Sequence, residues 1–148
     1  MNAPIGVDAD ILDGFRKEST QLLQELSKIV EKIESSHDSF PSGCLTDFSQ
    51  KIDRIMGTAK TIATMSPEHV GLKRIGDLAA VCKAVGYKAA EKKATNLLPL
   101  FAAFWTDAIE VIQNLIDALD DADKTNQIFN SFSSVLQSRL QWLAKKVR

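Results

Sequence analysis

Residues 49–62 read SQKIDRIMGTAKTI, and the fold class follows from how their side chains repeat. Wound on a helix of about 3.6 residues per turn, Phe48, Ile52, Ile55, Met56, Ala59 and Ile62 fall into one apolar stripe. Gln50, Asp53, Arg54, Gly57 and Thr61 take the opposite side, with Lys60 beside Asp53. Gly57 is out of character there. A glycine inside a helix and away from the core stripe costs about 0.5–1 kcal/mol relative to alanine. On a solvent face the usual compensation is close approach of another molecule or another backbone. The plain alternative is a tolerated surface glycine, or one lying under a loop of the same chain.

The same periodicity extends in both directions. A first helix is expected over residues 8–34, with Ile11, Phe15, Leu22, Leu26, Ile29, Val30 and Ile33 inward and Asp8 or Asp10 as its cap. Turn formers and a proline in residues 35–43 break the pattern, and the second helix runs over about residues 46–65. Ser66-Pro67-Glu68 reads as a restart: a capping hydroxyl, proline at the first helical position, an acid in the first turn. The third helix then turns Leu72, Ile75, Leu78, Ala79, Cys82 and Val85 inward and frays near Lys92-Lys93, while Gly86 weakens it or lets Tyr87 pack closely.

A fourth helix starts near Asn96, with Pro99 tolerable in its first turn. Leu97, Leu100, Phe101, Phe104, Trp105, Ala108, Ile112, Leu115, Ile116 and Leu119 cover close to half its circumference. So wide an apolar sector implies packing on more than one side. After a break at residues 120–123, a fifth helix over about residues 124–147 faces Ile128, Phe129, Phe132, Val135, Leu136, Leu140 and Leu143 inward. Its basic end, Lys145, Lys146 and Arg148, suits the negative end of the helix dipole. No period-two strand pattern appears. The expectation is an all-α fold of one domain over residues 1–148: an antiparallel four-helix bundle with an additional C-terminal helix.

Composition narrows the function classes. Eighteen basic against nineteen acidic residues leave the 148-residue chain nearly neutral, which argues against a nucleic-acid partner. Cys44 and Cys82 are too few for a disulfide framework and lack metal-ligand spacing, so a reducing compartment is expected. The N-terminal residues carry acids where a signal peptide has bases. Residues 97–119, the most apolar run, are interrupted by Asp107, Glu110, Gln113, Asn114 and Asp117, which speaks against a membrane span. A cytoplasmic protein is the reading.

Catalytic constellations are sparse. His37 and His69 sit in or beside loops without a ligand partner at i+4 and read as surface histidines. No phosphate-cradling glycine loop or nucleophile elbow is present. Cys82 lies on an apolar stripe, as a small buried hydrophobe does. The aromatic set Phe101, Phe104, Trp105, Phe129 and Phe132 has helical spacing and reads as core. No catalytic residue, cofactor or metal site is expected.

Asp53-Arg54-Ile55-Met56-Gly57-Thr58-Ala59 resembles the histidine phosphotransfer (Hpt) signature, His-x-Leu-Lys-Gly-x-Ala, of two-component and chemotaxis signalling. The motif falls on the second helix, after a long amphipathic first one, as in the phosphotransfer domain of chemotaxis histidine kinases. Residues 71–82 resemble that family's third helix, and the helix count agrees. The likeness spans most of the chain as architecture, but only the motif and third helix as sequence. Two departures stand out. Asp53 replaces the phosphoryl-accepting histidine, and Met56 replaces the lysine before the glycine. The imidazole is what carries a labile phosphoryl group between two aspartates, so its loss implies a non-catalytic relative. Asp53, Gly57 and Lys60 share a face, where Gly57 keeps the surface low and Lys60 offers a cation.

The resemblance therefore implies an interaction module whose second-helix face, Gln50, Arg54, Gly57, Lys60 and Thr61 around Asp53, binds a receiver domain of a response regulator or a histidine kinase component. One alternative is a phosphatase of a response-regulator aspartyl phosphate, with an acid and an amide, from Asp47-Phe48-Ser49-Gln50 or from Asp53 with Gln50, positioning water. Another is an oligomerisation or scaffold bundle, a homodimer using the broad apolar sector of the fourth helix.

Overall fold

The computed structural model describes residues 8–36 and 39–146, and all the regular structure among them is helical. Its elements are α1 (Ala9–Glu34), α2 (Ser42–Met65), α3 (Val70–Lys92), α4 (Leu98–Asp117) and α5 (Ala122–Lys146), with a short 3-10 turn at Thr95–Leu97 leading into α4. His37, Val147 and Arg148 lie outside the described residues. No described helix is long and apolar enough to cross a membrane.

Local chemistry explains most of the boundaries. The Asp8 carboxylate accepts the Asp10 N–H at 2.7 Å and starts α1 as expected. Helix α2 begins four residues earlier than its polar N-terminal sequence suggests. Pro41 leads in, and Leu45, buried to 3% exposure, anchors the first turn where Thr46 was expected to begin it. Ser66-Pro67-Glu68 does not open α3. Ser66 is the buried residue that ends α2, and His69 caps α3 instead. At the far end of α3, Lys93 adopts the left-handed conformation at φ 49° and its N–H bonds the Ala89 carbonyl, closing the helix.

Helix α1 packs on α2 and α4, α2 on α3, α3 on α4, and α5 lies along α3 and α4. Trp105 fills the middle. Its indole N–H donates to the Cys82 carbonyl at 3.2 Å, and its ring lies 4.5 Å from that of Phe48 and 5.9 Å from that of Phe101. Burying each such side chain contributes about 1.5–3 kcal/mol. The wide apolar sector of α4 is taken up by α1, α3 and α5, which explains its width.

Two inward assignments shift. On α1 the buried stripe runs through Leu12, Phe15, Ser19, Leu23 and Leu26, leaving Ile11 44% exposed. The buried Ser19 interrupts the apolar period and hides the true register. On α5 only Thr125, Leu136 and Leu143 are buried, and Val135 is 45% exposed. A helix resting on two neighbours needs only a narrow stripe, and Val135, about 100° round from Leu136, falls outside it.

Candidate functional site

The stripe of α2 buries Phe48, Ile52, Ile55, Ala59 and Ile62, with Met56 partly covered, so the opposite side must face out. Gln50, Asp53, Arg54, Gly57, Lys60 and Thr61 are all exposed there. A Cβ placed on Gly57 would meet nothing within 4 Å, so among the described residues no loop lies over it. The Gly57 carbonyl accepts the Thr61 hydroxyl at 2.8 Å. Asp53, Arg54, Gly57, Thr58, Thr61 and Ile62 line a shallow depression of about 350 Å³.

Two cross-helix ion pairs border it. Lys83 on α3 donates to Asp53 at 2.6 Å, and Arg54 grips Glu18 on α1 with two bonds, at 2.9 and 3.1 Å. The hydrogen bond from Arg54 holds the Glu18 carboxyl below its ordinary range against the opposing effect of burial. The hydrogen bond to Asp53 likewise raises Lys83. Lys83 also lies 5.8 Å from the ring of Tyr87, which is 60% exposed. Asp47, the other acid singled out on α2, pairs with Lys51 at 3.0 Å.

Lys60 plays a different part from the one its spacing suggested. A Cβ on Gly76 would come within 3.0 Å of Lys60 Cγ, so the lysine stem lies across α3 at that glycine. The cation at Asp53 is Lys83. Gly86 similarly lets α3 approach α2, its absent Cβ 3.5 Å from Ser49 Oγ, while Tyr87 points out rather than packing in.

Glu18, Lys83 and Tyr87 carry no signal of their own in the sequence. The turn between α2 and α3 does carry one. Asp53 and Lys83 are each fifteen residues from Glu68, and Lys60 and Gly76 are each eight. Both contacts are therefore the register of one antiparallel helical hairpin with a short connection.

The histidine read as a surface residue is buried. His69 is 8% exposed, its Nδ1 accepts the Leu72 N–H at 3.2 Å, and burial lowers its pKa. It does the work of an N-cap, a role usually filled by Ser, Thr, Asp or Asn. Cys82 is the buried hydrophobe its position implied, with burial pushing its thiol up to about 12.

No protein-family model matches the chain, no curated protein matches it, and no solved structure matches it.

Proposed function

We propose that this chain is a non-catalytic, Hpt-like interaction module of two-component or chemotaxis-type signalling. In this reading α1–α4 form an antiparallel four-helix bundle with α5 added alongside. The exposed face of α2 docks the receiver domain of a response regulator, or a histidine kinase component, in the cytoplasm. The observation that carries the reading is the bare backbone at Gly57, open to solvent between the Asp53–Lys83 and Arg54–Glu18 pairs. A helix interior gains nothing from glycine on its own account, whereas a partner lying flush against α2 needs that spot low. Asp53 offers no imidazole to carry a phosphoryl group and its carboxylate is tied to Lys83, so the partner is held rather than phosphorylated.

Gly57→Arg tests this. Open space at the Cβ lets the side chain enter without a clash, so the circular dichroism spectrum should be unchanged and Tm should be at or slightly above wild type. Capture of purified receiver domains, measured by pull-down and calorimetry, should be lost. Unchanged capture by the variant rejects the proposal.

A further inference from the structure

Between α3, α4 and α5 lies an apolar cavity of about 250 Å³, walled chiefly by Leu78, Val81, Val111, Leu115, Leu136 and Leu140. Since a cavity of about 150 Å³ takes a benzene, this one holds roughly ten non-hydrogen atoms. Arg74 lines the same cavity. Its guanidinium stacks 3.5 Å from the centroid of Phe129, and its Nε is buried without an acceptor. No carboxylate comes within ion-pair reach of it among the described residues. Stacking occupies the face of the guanidinium and Nε is enclosed, so a head group in the cavity meets the Nη end, whose paired N–H donors form a fork that a carboxylate matches.

We infer that this cavity binds a small monocarboxylate with an apolar tail, its head on the edge of Arg74 and its tail among the leucines and valines. Asp77, one turn further along α3, also lines the cavity. Its carboxylate repels any anion, and a doubly charged phosphate more strongly than a monocarboxylate. The inference does not rest on the docking face of α2.

Octanoate, with about ten non-hydrogen atoms, is the probe, and 1-octanol is its uncharged control. Calorimetry on the full chain should show octanoate binding roughly tenfold or more tighter than octanol, the usual difference when a charged hydrogen bond is added. Methyl NMR should place the shifts at Leu78, Val81, Val111 and Leu115. Arg74→Met keeps the aliphatic stem and should reduce octanoate to the level of octanol, and Asp77→Asn should tighten octanoate. Equal binding of the two probes, no binding of either, or methyl shifts confined to the exposed Ile11 and Val135 would overturn the inference. The wild-type comparison stands whether or not either variant folds.

Discussion

Lys83 of α3 and Asp53 of α2 meet at 2.6 Å across the helical hairpin, so the acid on the exposed face of α2 is anchored to the neighbouring helix. The bond to Asp53 raises the lysine pKa above its ordinary 10.5. A group whose folded pKa lies above its unfolded one contributes fully below the unfolded value. That contribution is lost as pH climbs through the folded value. Asp53→Asn should therefore bring the Lys83 titration, followed at Cε by carbon NMR, back down towards 10.5. Lys83→Met should leave the neutral-pH melt almost unchanged, because exposed ion pairs are screened and contribute little. An identical lysine titration in wild type and Asp53→Asn would show that the pair does not persist in solution.

The open space at Gly57 predicts a gain where helix propensity acts alone. Gly57→Ala removes backbone freedom from the unfolded chain and meets nothing in the folded one, so urea unfolding should show about 0.5–1 kcal/mol of added stability. Gly76→Ala should fall below it, because the new methyl lies 3.0 Å from Lys60 Cγ and the lysine stem must move. Equal gains at the two sites would mean that Lys60 does not lie on α3.

The fold class is legible in the apolar periods because 3.6-residue repeats are long and uninterrupted on α2, α3 and α4. Register is legible only where those repeats are clean. Ser19 breaks the stripe of α1, and α5 has a stripe too narrow to distinguish Val135 from Leu136. The polar face of α2 follows directly once its core stripe is known. The groups that organise that face come from elsewhere: Glu18 is thirty-six residues from Arg54, and Lys83 is thirty from Asp53. No rule for neighbours on one helix reaches so far. His69 is invisible for another reason, since imidazole is an unusual N-cap and the Ser-Pro-Glu triplet just before it imitates a better one.

Burial of His69 should register as an acid limb in stability. Its folded pKa is lowered, chiefly by burial, from an ordinary value of 6.5. Above that value the imidazole is neutral in both states and its contribution is whole. Between the two values only the unfolded chain binds the proton, so stability falls as pH drops below 6.5 and continues to fall until the folded pKa is passed. His69→Asn keeps an acceptor for the Leu72 N–H and removes the titration. Chemical denaturation across this range should lose that part of its pH dependence in the variant. A slope unchanged by the substitution would assign the limb to other groups.

Helix α5 should open before the rest of the molecule unfolds. It rests on α3 and α4 alone, and buries only Thr125, Leu136 and Leu143. Its N-terminal turn is secured by the Thr125 hydroxyl, which donates to the Ala118 and Asp121 carbonyls at 3.0 and 2.9 Å. Further along, the attachments are the Arg74–Phe129 stack and the Arg139–Asp107 ion pair. By contrast α4 is packed by α1, α3 and α5 along its whole apolar sector. Local opening free energy follows buried apolar contact. Native-state hydrogen exchange in low denaturant should therefore release the amides of residues 130–142 through a smaller opening than those of residues 104–116. Octanoate, by bridging α5 to Arg74 and the cavity wall, should slow the first set and leave the second unchanged. Uniform protection across α4 and α5 would mean that the five helices unfold as one unit.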